Sequence, residues 1–450
     1  MPLEPYQQDG IVFAASTGYR CLIADEPGVG KTAQALGCIK RDPHLLLPAI
    51  VVCPASLVQN WGKEAKRWLP GVPSAYIADR RDSMPRRGWK GILVMSYDQF
   101  TPREPEIVWW KPKTIIADEA HYAKNDDARR TVVLNSVVTK VPHAILLTGT
   151  PLINDPEELY NLIYMLNPEK AGDKVEFMRM AEEDPDKLRD MLKKVMIRRL
   201  FKNVLGHKVP PKRRYVIHVD MPDNVRQEYK QAEDAWHHWI EIHLPKIVSD
   251  QFKKRGIDPR TCPQAVWKVI NEKARRMAEF EALSKMGRLR QIVGEAKIIP
   301  ALEFAKSLIR KGESLVLFAE HKLVVDGIKA GLDRMNIPYE SITGTTGTGE
   351  ARERAVVNFR NSRVPMVFLA SRAAYAGITL TTARYLAFVE RWWTSIEEEQ
   401  AEGRIYRWGQ QYETSMIYFH VRKSIDDRLG DIVSEKHDMI HNLIGGTDPG

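Results

Sequence analysis

The sequence predicts an α/β chain of two lobes, each a parallel sheet wrapped in helices, with helical insertions. Three observations carry that expectation. Short apolar runs, bounded by turn or polar residues, alternate with helical patterns through the first third of the chain. The same alternation restarts near Leu315. The length, 450 residues, exceeds what one core ordinarily serves.

Residues 21–24, 50–53, 92–96, 114–117 and 144–147 have the pattern of strands covered on both faces. Helices are expected between them. One, at 32–39, follows the first run. Another, at 57–68, sets Trp61, Ala65 and Trp68 on one face. Residues 155–200 read as helices, with Leu159, Leu162, Ile163 and Leu166 at helical spacing. Pro210 and Pro211 then interrupt the chain, and 215–221 reads as a strand. A second helical block, 224–290, is rich in Trp, His, Lys and Arg. Second-lobe strands are expected at 315–319, 339–342, 366–370, 385–389 and 415–419, with helices at 322–334 and 350–359 and one more at the C-terminus. The expected division is 1–205 and 206–450.

The net charge of +9 favours a polyanionic partner. Basic clusters occur at Arg80-Arg81, Arg86-Arg87, Arg198-Arg199, Lys212-Arg213-Arg214, Lys253-Lys254-Arg255 and Arg275-Arg276. Any one of them also reads as a solvated face. No apolar run is long enough to span a membrane, and no signal peptide is legible at the N-terminus. Cys21, Cys38, Cys53 and Cys262 lack metal or pairing spacing, and the first three lie in apolar contexts typical of core thiols. A reducing compartment follows.

Between the first run and its helix lies Asp25-Glu26-Pro27-Gly28-Val29-Gly30-Lys31-Thr32. Glycines there let backbone N–H groups approach phosphate oxygens at a helix N-terminus. Lys31 would reach the outer phosphates of a nucleotide, and the Thr32 hydroxyl would hold magnesium. Asp25 stands where the usual phosphate loop has its first glycine, and a chance Gly-Lys-Thr after a strand has the same look. Asp118 and Glu119 follow the run 114–117. Carboxylates at a buried strand tip are costly without a cation. Asp118 would bind magnesium, and Glu119 would position and deprotonate a water attacking a γ-phosphate. An Asp-Glu pair at such a tip also occurs as a helix cap. His121 has two readings, contact with the γ-phosphate or coupling to the other lobe.

The ordered series of motifs resembles the Swi/Snf-type ATPases, a branch of superfamily-two helicase-like motors. Leu3-Glu4-Pro5-Tyr6-Gln7 is similar to the family's opening motif, in which the resemblance gives Gln7 to adenine. In the phosphate loop, Asp at position 25 is the family's habit. Val51-Val52-Cys53-Pro54-Ala55-Ser56-Leu57 with Asn60-Trp61, then Ser96-Tyr97, resemble the next motifs. Asp118-Glu119-Ala120-His121 with Lys124-Asn125, and Leu147-Thr148-Gly149-Thr150-Pro151-Leu152 with Asn154 and Glu158-Leu159, continue the series. Arg198-Arg199 and Pro210-Pro211-Lys212 resemble the inter-lobe signature. In the second lobe the matching stretches are Leu317-Phe318-Ala319 with His321-Lys322, Thr343-Gly344, Arg352, Ser371-Arg372, Gly377-Ile378-Thr379-Leu380, and residues 400–410 from Gln400 to Gln410. Gly294-Glu295-Ala296-Lys297-Ile298, Phe318-Ala319-Glu320-His321-Lys322 and Ile425-Asp426-Asp427 lean toward the HARP-like, annealing-helicase branch. Arg391-Trp392-Trp393 departs from the family's Trp-Asn-Pro, and Trp408 replaces an aliphatic residue.

The resemblance implies two RecA-like lobes closing on ATP and Mg2+. Gln7, Asp25, Gly28, Val29, Gly30, Lys31, Thr32, Gly377, Arg404 and Arg407 would contact the nucleotide, with Thr32 and Asp118 at the metal. Arg404 and Arg407, three apart on a predicted helix, would be arginine fingers. Pairing with Glu397 or Glu402 is the plainer reading of the two arginines. Ser56, Asn60, Tyr97, Thr343 and Ser371 would contact nucleic acid, with Thr148 and Thr150 linking the two sites. Trp392 and Trp393 divide between base stacking and core. The implied function is an ATP-dependent translocase on double-stranded or branched DNA. A strand-separating helicase, a non-catalytic clamp and the motor of a larger complex are the alternatives. A monomer, recruited by a protein partner, is expected in a bacterial or phage-infected cytoplasm, or in a nucleus if eukaryotic.

Overall fold

The computed structural model describes residues 3–77, 79, 81–123, 128–151, 156–254, 257–285, 287–344, 346, 349–374, 378–392 and 395–431. Gly377, Trp393, Lys124, Asn125, Leu152, Asn154 and the expected C-terminal helix beyond 431 lie outside the described residues.

The first lobe contains β1 (Arg20–Ile23), β2 (Ala49–Cys53), β3 (Ser74–Ile77), β4 (Ile92–Ser96), β5 (Thr114–Asp118), β6 (His143–Leu147) and β7 (Met196–Ile197). They form one sheet in the order β3-β4-β2-β5-β6-β1-β7, parallel at every pairing. Alternation sorts their side chains into two cores. Ile50, Val52, Ile115 and Ala117 face one side, whereas Val51, Cys53 and Ile116 face the other. Burying each such branched side chain contributes about 1.5–3 kcal/mol, which is why these short strands need no polar face. Cys21, Cys38 and Cys53 are buried free thiols, as their apolar contexts predicted.

The second lobe contains β8 (Lys212–Val219), β9 (Leu315–Phe318), β10 (Tyr339–Ile342), β11 (Val367–Ala370), β12 (Tyr385–Phe388) and β13 (Thr414–Val421). The order is β10-β11-β9-β12-β13-β8, again all parallel. Two strands escaped the sequence reading. β3 is a half-exposed edge strand, and β7 has two residues and ends a segment read as wholly helical. The helical block resolves into Asp223–Lys254, Gln264–Lys285 and Arg288–Ala296. The first two pack along each other as an arm. Tyr229, Trp236 and Ile240 root it in the second lobe's core. Among the described residues no helix is long and apolar enough to cross a membrane.

Candidate active site

The expected phosphate loop is the chain between β1 and the helix Lys31–Arg41. Gly30 has φ 91°, a region that strains other residues, and a Cβ there would collide with the Gln7 amide. The Tyr6 hydroxyl and the Gln7 amide both donate to the Val29 carbonyl, at 2.9 and 3.1 Å. Val29 itself is buried against Phe201, Leu205 and Val209. Gln7, expected at adenine, therefore also braces the loop.

The other side of the loop is held by the chain around β7. Leu22, Ala24 and Glu26 donate their N–H groups to the carbonyls of Val195, Ile197 and Arg199 at 2.9, 2.8 and 3.0 Å. The Phe201 N–H donates to Glu26 Oε2 at 2.6 Å. Asp25 departs from its expected nucleotide contact. Its carboxylate is fully buried behind the loop, where it accepts from Arg199 Nη2 at 2.6 Å, Arg199 Nε at 3.0 Å and Gln34 Nε2 at 2.8 Å. The cause is the cation that the β7 segment presents there. A buried carboxylate without that partner would be costly. Lys31 Nζ donates to the Asp25 carbonyl at 2.8 Å. Burial lowers its amine below the usual lysine range, against the pull of Glu119, Asp118 and Asp25. Thr32 follows in the helix's first turn.

Asp118 closes β5. Its Oδ2 accepts from the Trp61 indole at 2.7 Å, and its Oδ1 from the Glu119 N–H at 3.0 Å. Glu119 turns left-handed, with φ 51°. Burial raises both carboxyls, and Glu119 raises Asp118 further, while Lys31 and Arg404 pull Glu119 back down. Glu119 Oε2 is buried without a hydrogen-bond partner among the described residues, 3.3 Å from His121 Nδ1. That His121 nitrogen lies 3.0 Å from the hydroxyls of both Thr148 and Thr150. His121 is thus coupled to the end of β6 within its own lobe. The indole of Trp61 and this His–Thr–Thr cluster were not assigned from sequence.

Among the described residues no three His, Cys, Asp or Glu side chains form a metal cage. Magnesium characteristically takes one or two carboxylates and completes its shell with water and substrate phosphates. The pair here fits that pattern. Burial leaves the charge of Asp118 and Glu119 only partly compensated by Lys31 and Arg404, and Glu119 Oε2 accepts no hydrogen bond among the described residues.

The second lobe supplies the opposite wall. Its helix Ser395–Glu402 stops before Gly403, so Arg404 and Arg407 lie in the turns beyond it rather than on a helical face. Tight i−3 bonds from Arg404 N and Ile405 N close the helix, and the Leu380 N–H donates to the Arg404 carbonyl at 2.8 Å. The chain is drawn toward residue 380 instead of continuing. Arg404 Nη1 donates to the Ile378 carbonyl at 3.3 Å, and Arg407 Nη1 to Thr379 Oγ1 at 2.7 Å. The lobes touch at the phosphate loop. A Cβ at Gly28 would lie 3.8 Å from Arg407 Cβ, and one at Gly403 3.8 Å from Pro27 Cβ. The Phe201 and Tyr406 rings meet at 5.0 Å.

Glu402 anchors this wall to the inter-lobe segment. Its buried carboxylate pairs with Lys212 at 2.6 Å and Arg214 at 2.8 Å and accepts from the Tyr418 hydroxyl at 2.6 Å. Burial alone would raise it, but Arg214 and Lys212 outweigh that and hold it at about 2. The stretches around Lys297 and Asp426 also meet, in a buried 2.6 Å ion pair.

Of the five expected nucleic-acid contacts, Ser56 and Asn60 are exposed and line a cavity of about 410 Å³ between the lobes, opposite Arg352. Tyr97 departs from expectation. It is buried, stacks on Tyr122 at 5.8 Å and donates to the Asp118 carbonyl at 3.0 Å, so it supports the acids from behind. Thr343 and Ser371 are buried just past the ends of the neighbouring strands β10 and β11. Trp392 is core, packed edge-on against Phe318 and Phe388 at 5.2 and 5.5 Å, which rules out base stacking.

The chain is 27% identical to the bovine "DNA annealing helicase and endonuclease ZRANB3", over 99% of this chain and 41% of that protein. It is 30% identical to the Xenopus tropicalis "SWI/SNF-related matrix-associated actin-dependent regulator of chromatin subfamily A-like protein 1", over 96% of this chain and 44% of that protein. It thus spans about two fifths of these relatives' length. Among solved structures, the "Sulfolobus solfataricus SWI2/SNF2 ATPase core in complex with dsDNA" matches at 21% identity and a TM-score of 0.44, covering 99% of this chain and 93% of that one. The model of the helicase conserved C-terminal domain matches residues 297–409. The model of the SNF2-related domain matches residues 6–297, most of the sequence, and the chain belongs to the SNF2-related family.

Proposed function

We propose that the chain is an ATP-dependent translocase on double-stranded DNA that remodels branched DNA or DNA–protein complexes. One observation carries this reading. The phosphate loop and Glu119 stand on one lobe, and Arg404, whose charge bears on Glu119, stands on the other. A site divided in this way couples hydrolysis to lobe closure. The exposed Ser56 and Asn60 in the inter-lobe cavity, the net charge of +9 and the family's membership support a DNA track. The bovine relative is a DNA annealing helicase by name, which supports DNA as the substrate.

Lys31 exchanges the Asp25 carbonyl for the outer phosphates of ATP. Asp118 and Thr32 would hold magnesium, which would supply the positive charge that the phosphates and buried acids need. Glu119 orients the attacking water and takes its proton. Arg404 and Arg407 stabilise the charge of the transferring phosphoryl group; such a residue is worth roughly 10³–10⁵ in rate. The hydroxyls of Thr148 and Thr150 tie His121, two residues from Glu119, to the segment that follows β6, so a shift of that segment would reach the acids.

The test is ATP turnover with duplex, forked and single-stranded DNA and with RNA. Duplex or forked DNA should stimulate most, and Lys31→Ala and Glu119→Gln should each remove all but a few per cent of the rate. Turnover that survives both substitutions contradicts the proposal.

A further inference from the structure

The net charge of this chain is not evenly spread. Residues 246–276 hold nine Lys and Arg against three Asp and Glu, so two thirds of the +9 excess lies in 31 positions. The described ones among those positions lie at the far end of the two-helix arm. The helix Asp223–Lys254 packs on the second lobe's core as far as Ile247, so at ~1.5 Å per helical residue its end projects roughly 10 Å beyond that contact.

The charges are also arranged. Lys246 and Lys253 are seven apart on one helix, and Lys268 and Arg275 are seven apart on the other, so each pair shares a helical face. Lys246, Lys253, Arg260 and Lys268 are exposed, and none forms an ion pair among the described residues. This contrasts with the first lobe's surface, where Arg179, Lys187 and Lys193 each meet an acid. At the tip, Lys253 and Trp267 line one cavity of about 330 Å³ with Pro245, Phe252 and Pro259. Trp267, beside Lys268, is 47% exposed. Unneutralised cations around an exposed indole suit a sugar–phosphate backbone. The cations meet phosphates and release counterions, while the ring packs on the sugar.

We propose that the tip of this arm is a second duplex-DNA contact, separate from the cleft between the lobes, made to phosphates by Lys246, Lys253, Arg260 and Lys268. It rests on the reading of the chain as a DNA-acting protein. The arm holds a second point of the duplex while the lobes advance along the first.

The experiment measures binding of a fluorescent 40-base-pair duplex to the full chain without nucleotide, across a salt series, and ATP turnover in parallel. The variant replaces Lys246, Lys253, Arg260 and Lys268 by Ala. The expected result is at least tenfold weaker binding. The slope of log affinity against log salt should also be shallower by about 3.6, at about 0.9 for each of the four lost phosphate contacts. Turnover without DNA should be unchanged. A variant with Arg at 246, 253 and 268 should bind as the unaltered chain does, which separates charge from folding. Equal duplex binding by the Ala variant overturns the proposal and leaves an acidic protein as the arm's partner. Arm-dependent binding with no stimulation of turnover by DNA overturns the translocase reading and leaves the arm contact standing.

Discussion

The guanidinium of Arg199 closes on the carboxylate of Asp25 at 2.6 Å, with both side chains no more than 3% exposed. This pair explains why an acid stands where phosphate loops usually carry glycine. The chain leaving β7 brings a cation behind the loop, and the acid answers it. Removing one member of a buried pair typically costs about 3–5 kcal/mol. Arg199→Ala should therefore lower the denaturant midpoint strongly and weaken ATP binding. Arg199→Met with Asp25→Leu should recover much of the stability. Equal stability of Arg199→Ala and the unaltered chain would remove the pair from the account.

Glu119, the proposed general base, has a structural cost. Its carboxyl is raised by burial, and one oxygen lacks a hydrogen-bond partner among the described residues. Glu119→Gln should abolish turnover, by about 10²-fold or more, while raising the melting temperature of the nucleotide-free protein by a few degrees. A raised carboxyl destabilises the fold once ionised, so the gain should grow with pH above the ordinary glutamate range. A drop in melting temperature at neutral pH would contradict the uncompensated charge.

Arg404 pulls the Glu119 carboxyl down from across the cleft. Without that charge Glu119 should hold its proton to higher pH. The acid limb of the turnover profile should then shift upward in Arg404→Ala, beyond the loss in maximal rate. Arg404→Lys should keep the limb near its original place and still turn over slowly, because an ammonium lacks the guanidinium's fork. An unshifted limb in Arg404→Ala would mean that the two residues do not meet in the working enzyme.

Most of the architecture was legible because parallel strands buried on both faces leave unmistakable apolar runs. The second-lobe strands and the phosphate loop's helix lie within a residue or three of expectation. The misses have physical causes. β7 is too short to show a period, and it exists only because β1 offers it an open edge. Arg404 and Arg407 were read onto a helix because residues 395–402 carry helical composition, but the long-range bond from Leu380 ends that helix early. The acid pair was legible as chemistry. Its supports, Trp61, Tyr97 and the His121–Thr148–Thr150 cluster, were not, since sequence spacing says nothing about which strand tips become neighbours.

Glu402 gives the second lobe a pH dependence of known sign. Its carboxyl is held at about 2, below the unfolded value, so its pairing with Arg214 and Lys212 stabilises the protein fully above about pH 5. That contribution, on the order of 3 kcal/mol, is lost as pH falls through the ordinary glutamate range toward 2. Glu402→Gln should melt lower than the unaltered chain at neutral pH, and the gap should narrow in acid. A gap that widens on acidification would contradict the assignment.

On the proposed reading, closing two lobes on one nucleotide moves this chain along duplex DNA. Displacement of a triplex-forming third strand from a linear duplex measures that movement without requiring the duplex to open. The unaltered chain should release the third strand when ATP and Mg2+ are supplied, and Glu119→Gln should not. Duplex-stimulated hydrolysis with the third strand left in place would contradict translocation directly.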